Sequence, residues 1–138
     1  MLERKYFQEI YTLEGQNVKE NISLNNELIN IDVKITSLDL FTKENNIYPD
    51  LIKIDVEGAE ALVLEGGIQL ALDSRPKFFV EMHSNLKLSM KDNVLKILKW
   101  SNKVKYTVWY MKERKMLINA DEISHRGKCH IHLLPIEM

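Results

Sequence analysis

Leu51-Ile52-Lys53-Ile54-Asp55-Val56-Glu57-Gly58-Ala59-Glu60 is the stretch whose reading decides the fold. Ile52, Ile54 and Val56 alternate with Leu51, Lys53, Asp55 and Glu57, the period of two that predicts a β-strand. Gly58 marks a turn. Beyond it Glu60, Ala61, Leu62, Val63 and Leu64 are mostly good helix formers, with an acidic side chain in the first turn, where the positive end of the helix dipole favours it. A strand running through an acidic turn into a helix is the corner at which open α/β sheets bind ligands, outside the carboxyl ends of their strands.

Working outward, Gly66-Gly67 breaks the helix, Ile68 to Ser74 predicts a second short piece, and Pro76 ends that piece. Lys77 to His83 predicts the next strand, with Phe78, Val80 and Met82 on one face and Phe79, Glu81 and His83 on the other. Met90 to Trp100 carries a helical apolar stripe, Val94, Leu95, Ile97, Leu98 and Trp100, with Lys91, Asp92, Lys96 and Lys99 turned outward, and is expected to cover one face of the sheet. Tyr106 to Met111 and Met116 to Asn119, joined by Lys112-Glu113-Arg114-Lys115, predict a hairpin, and Cys129 to Pro135 a final strand.

Upstream, Ile31, Val33 and Ile35 alternate with Asp32, Lys34 and Thr36, which predicts a strand. Ser37 and Asp39 offer caps for a short helix through Phe41 to Asn45, closed by Asn45-Asn46 and Pro49. Gly15, Asn17, Asn21, Ser23, Asn25 and Asn26 predict a loop or a wide hairpin connection. Met1 to Thr12 fits either a strand or one amphipathic helical face. With no internal repeat and no interdomain linker, the chain reads as a single domain over 1–138: a lead-in over 1–50 containing a hairpin or strand, then an α/β core over 51–138.

Composition narrows the function classes. The 138 residues include 45% hydrophobic ones, enough for a core of ordinary size. Lys plus Arg number 19 against 20 Asp plus Glu, and the net charge of -1 offers no broad attraction to nucleic acid or anionic membrane, so neither is expected as a partner. Apolar runs fall far short of the ~20 residues that span a bilayer, and no signal-peptide pattern opens the chain. Cys129 is the single cysteine, which excludes an intrachain disulfide and makes a cytoplasmic location the default expectation.

The central stretch also carries a resemblance. Ile52 to Glu60, with Ser37-Leu38-Asp39 before it, Leu64-Glu65-Gly66 after it and Arg75-Pro76 to Glu81-Met82-His83 beyond, resembles the FkbM-type family of S-adenosylmethionine-dependent methyltransferases, closely over the middle of the chain and loosely over its last part. The resemblance implies a partial Rossmann-like methyltransferase sheet, mixed and mostly parallel, with flanking helices. It implies S-adenosylmethionine as cofactor, the turn from Asp55 to Glu60 lining the methyl-donor and acceptor pocket with Asp55, Glu57 and Gly58 binding the cofactor, and a sugar or other small hydroxylated metabolite as acceptor. The family's glycine-rich cofactor turn has no counterpart, because none of the five glycines forms a G-x-G ahead of the central strand. The chain therefore resembles the carboxyl-terminal half of such an enzyme.

The residues themselves support a matching chemistry. Asp55 and Glu57 are two apart at one strand end and Glu81 and His83 repeat that spacing on the next, so adjacent strands would bring all of them to one crevice. Transfer to a hydroxyl needs a base; His83 is the candidate, with Glu81 to orient it and Asp55 as a further catalytic candidate. Glu57 and Glu60 serve equally well as helix-capping or solvated carboxylates. His130 and His132 are two apart on a strand, but a histidine pair without a third ligand reads as a polar sheet face, Asp55 with Glu57 lacks identifiable partners, and no metal is predicted. The basic turn Lys112 to Lys115, with Arg126 and Lys128, reads as a solvated hairpin tip before it reads as an anion site, and Trp100, Trp109 and Tyr110 as core. Without the cofactor-binding strand, the Ile52 strand would keep an open edge, which predicts self-association or pairing with an amino-terminal half. The alternative to an active enzyme is a catalytically silent remnant that serves in assembly or binding.

Overall fold

The computed structural model describes residues 18–24, 27–84 and 87–137, with side chains from residue 34 onward. The expectations for Met1 to Thr12, and for Gly15, Asn17, Asn25 and Asn26, lie outside the described residues. β1 (Val18–Leu24) and β2 (Glu27–Val33) pair antiparallel, from Val18↔Val33 to Leu24↔Glu27, as a separate two-stranded sheet. Asn21 and Ser23, expected in a loop, lie within β1: the full-length ladder with β2 outweighs their weak strand preference.

The rest of the chain runs α1 (Leu38–Asn45), β3 (Leu51–Ile54), α2 (Glu60–Glu65), α3 (Ile68–Asp73), β4 (Lys77–His83), α4 (Met90–Val104), β5 (Tyr106–Tyr110), β6 (Lys115–Met116), a 3-10 turn (Ala120–Glu122) and β7 (Lys128–Pro135). Five strands form one mixed sheet in the order β3-β4-β7-β5-β6. β3 and β4 are parallel; β7 enters reversed between β4 and β5, so parallel pairing is confined to β3 and β4 although β5 runs in their direction. This is α/β architecture of the expected partial Rossmann-like kind, and the central, Lys77, final and hairpin strands lie side by side as anticipated.

Alternation decides which face of the sheet is dry. Phe78, Val80 and Met82 of β4, Ile131 and Leu133 of β7 and Val108 of β5 are buried in one cluster with Ala61 and Leu64 of α2 and Val94, Ile97 and Trp100 of α4. Each such Val, Leu, Ile, Phe or Met side chain contributes about 1.5–3 kcal/mol by leaving water. Phe78 meets Trp100 edge-on at 5.5 Å, which fixes how α4 sits on the sheet. Leu95, assigned to the apolar stripe, is 48% exposed instead, because the buried line of α4 runs through Val94, Ile97, Ser101 and Val104.

Helix ends are tied by side chains from other elements. Ser37 Oγ caps α1 by accepting the Leu40 N–H at 3.1 Å. Asp39 does not cap its own helix: its carboxylate accepts the N–H groups of Gln69 at 3.1 Å and Leu70 at 2.8 Å, at the start of α3. The break between α2 and α3 is where α1 packs, and a Cβ at Gly67 would stand 3.0 Å from Leu38 Cδ1 and 3.3 Å from Leu38 Cβ. No described helix is long and apolar enough to cross a membrane.

Candidate active site

The parallel register Ile54↔Val80 places Asp55, just past the end of β3, beside Glu81 of β4. Ligand atoms of Asp55, Glu81 and His83 all lie within 4.8 Å of one another. Glu57 joins them by a different route from the one its spacing suggests. β3 ends at Ile54, and the chain turns through a left-handed Glu57 (φ 53°) and Gly58 (φ 105°), so the turn rather than strand alternation brings Glu57 Oε2 to 3.7 Å from His83 Nε2. Asp55, Glu57, Glu81 and His83 therefore meet at the carboxyl ends of β3 and β4.

His83 closes β4 and is only 7% exposed. Its Nδ1 lies 3.0 Å from Oε1 of Glu60, the first residue of α2, which is 0% exposed. The same Oε1 accepts the Gly58 N–H at 3.0 Å, and Oε2 accepts Nδ2 of Asn93 at 2.8 Å. Asn93, buried on α4, also donates to the His83 carbonyl at 3.2 Å. Nδ1 thus faces the Glu60 carboxylate inside the protein, and Nε2 faces the crevice, where Glu81 Oε1 stands 3.3 Å and Glu57 Oε2 3.7 Å away.

Two carboxylates thus face His83, the buried Glu60 at Nδ1 and the expected Glu81 at Nε2. Glu81 is engaged by Lys128 and by His130, whose Nε2 is 3.1 Å from Oε2; Lys128 foremost, and His130 after it, hold the Glu81 carboxyl down from 4.5 to about 2. Asn93 was not recognised from sequence as a site residue, and Glu60, placed in the pocket-lining turn, was not recognised as the partner of His83. The available signals were a carboxylate set among Ala59, Ala61, Leu62 and Leu64, and an asparagine on the helical face of Met90, Val94 and Ile97.

The remaining candidates separate. Lys53 pairs with Asp55 at 3.3 Å on the solvent side of the crevice. His130 stacks on Phe79 with ring centroids 5.5 Å apart, whereas His132 meets the same ring edge-on at 6.1 Å, and burial lowers the basicity of His132. Asp55, Glu81 and His83 have the compass of a divalent-cation site and include the partners that sequence could not name for Asp55; Lys128 already brings a positive charge to that opening. Lys115 is paired with Glu113 at 2.9 Å and Glu122 at 2.8 Å, as befits a hairpin tip. Tyr110 is core, and Trp109 is half-buried with its Nε1–H donated to Thr107 Oγ1 at 3.1 Å.

Comparison with known proteins finds one match: the methyltransferase FkbM domain family matches residues 3–108, a span that takes in the crevice residues Asp55, Glu57, Glu60, Glu81 and His83 as well as Asn93. No curated protein and no solved structure matches the chain.

Proposed function

The chain belongs to the methyltransferase FkbM domain family, and from that membership we propose that it methylates a hydroxyl of a small hydroxylated acceptor, such as a sugar, with S-adenosylmethionine as donor. The observation that carries the reading is the buried Glu60–His83 pair, with Nε2 of His83 turned to a crevice of carboxylates at the strand ends.

The donor set fits the cofactor at its charged end: Asp55, Glu57 and Glu81 surround one opening with carboxylates, which suits a sulfonium cation, and Asp55 and Glu57 with Gly58 are the residues that would hold it. When bound, S-adenosylmethionine supplies the electrophilic methyl group. The chain's own work is proton handling and positioning. His83 Nε2 takes the proton of the acceptor hydroxyl, and Glu60 at Nδ1 stabilises the resulting imidazolium. Asn93 and the Gly58 N–H keep the Glu60 carboxylate in place, so the ring does not have to find its orientation during reaction. Glu81 stands 3.3 Å from Nε2, its own carboxyl held low by Lys128 and His130.

One observation favours the second reading, a silent assembly module: among the described residues no strand pairs with the outer edge of β3. Calorimetric titration with S-adenosylmethionine and its demethylated product, on the wild type and Asp55→Ala, separates the two. Saturable binding weakened by the substitution, together with a kcat about a hundredfold lower in His83→Gln at nearly unchanged donor affinity, is the expected result. A folded chain that binds neither nucleotide leaves the module reading standing.

A further inference from the structure

A cavity of about 510 Å³ opens beside the His83 crevice, where the ends of β4 and β5 meet the start of β7, and its lining is basic and aromatic: Arg126, Lys112, Lys128 and His130 with Phe79 and Tyr110. Lys128 and His130 belong to both places, since each also holds Glu81. We propose that this cavity receives the acceptor and that the acceptor is anionic, a hydroxylated small molecule carrying a phosphate or carboxylate group held by Arg126 and Lys112. The assignment to an acceptor rests on the methyltransferase reading above; the assignment to an anion rests on the cavity alone.

Three features carry it. Arg126 lines the cavity and makes no ion pair within 4 Å among the described residues, although the Glu113 carboxylate feels its charge from further off. Lys112 likewise makes no ion pair among the described residues, although Lys53, Lys91, Lys115 and Lys128 all do. Two cations without a close ion-pair partner among the described residues attract an oxyanion, and the planar guanidinium fork matches phosphate and carboxylate oxygens in particular. The volume suits a sugar-sized molecule, and the stacked Phe79–His130 pair offers a flat wall for the apolar face of a ring. The cavity shares Lys128 and His130 with Glu81, whose Oε1 stands 3.3 Å from His83 Nε2, so the two places adjoin.

The test is calorimetric binding to the full chain without methyl donor, using inorganic phosphate, glucose 6-phosphate, glucuronate and glucose as probes. Saturable binding of an anionic probe, at least about tenfold tighter than glucose, weakened at least about tenfold in Arg126→Gln and reduced by added salt, is the expected result. Lys112→Gln, at an exposed position that packing does not depend on, should weaken the same probe about threefold or more and guards against misfolding of the first variant. Preference for the phosphate ester or for the uronate names the anion. Failure of every anionic probe to bind, or equal binding by wild type and both variants, overturns the proposal. Anion binding in a chain that binds no S-adenosylmethionine would keep the anion site and remove its role in methyl transfer; donor binding without anion binding would do the reverse.

Discussion

At the scale of single residues, the chemistry gathers on the carboxylates around one imidazole, and each is held differently. Glu60 is fixed by donors inside the protein, whereas Glu81 is held by cations at its edge. The second arrangement has a pH signature. The Glu81 carboxyl is held at about 2 in the folded chain against an ordinary 4.5, so its stabilising contribution is complete above about pH 4.5 and is lost as pH falls towards 2. Thermal melts from pH 6 to pH 2 should show Glu81→Gln losing up to about 2 kcal/mol less than the wild type over that window, the figure being discounted for the exposure of Lys128. Parallel curves for the two proteins would show that the ion pair does not contribute. The convergence of Asp55, Glu81 and His83 was legible in the sequence because strand residues two apart share a face. The roles of Glu60 and Asn93 were not, since a helical position names the face it occupies but not the neighbour it meets.

At the scale of elements, the fold depends on side chains that join ends of strands and helices distant in sequence. Arg75, itself in a left-handed conformation (φ 55°), donates to the carbonyls of Val104 and Lys105 at 3.1 Å each and of Ile136 at 2.8 Å, and lies over the Tyr106 ring. The Tyr106 hydroxyl donates to the Pro76 carbonyl at 2.8 Å, and burial pushes its pKa up to about 12. The Arg75-Pro76 pair, part of the family resemblance, is thus a clamp that closes α4 against β4 and β7. Arg75→Ala keeps the same backbone strain and removes the clamp, so urea unfolding should show a loss of about 1–3 kcal/mol. Arg75→Lys should recover less than half of it, because an ammonium cannot span the three carbonyls as the fork does. Full recovery by lysine would reduce the interaction to simple charge.

At the scale of the whole molecule, no strand among the described residues pairs with the outer edge of β3. The segment leading into it leaves Leu40, Phe41, Ile47, Tyr48 and Leu51 exposed, Tyr48 at 70% and Leu51 at 59%. Unpaired backbone groups next to apolar side chains template a further strand, and the partner we propose is a second copy of the chain. Sedimentation velocity should find concentration-dependent association in the wild type and its loss in Leu51→Lys, a charge of the kind that blunts natural edges; a wild-type monomer at all concentrations would sink the idea. Sequence by itself determined the α/β class, the strands and helices of residues 51–135, the family and the crevice at the strand ends, because periodicity, turn chemistry and a long specific stretch are local properties of the chain. Only the tertiary structure decided that the buried Glu60 faces His83 Nδ1, that Asp39 caps α3, and that Arg126 and Lys112 face one cavity. Those pairings join residues from separate elements, and their distances are set by packing of the sheet against α2 and α4, which no local pattern encodes.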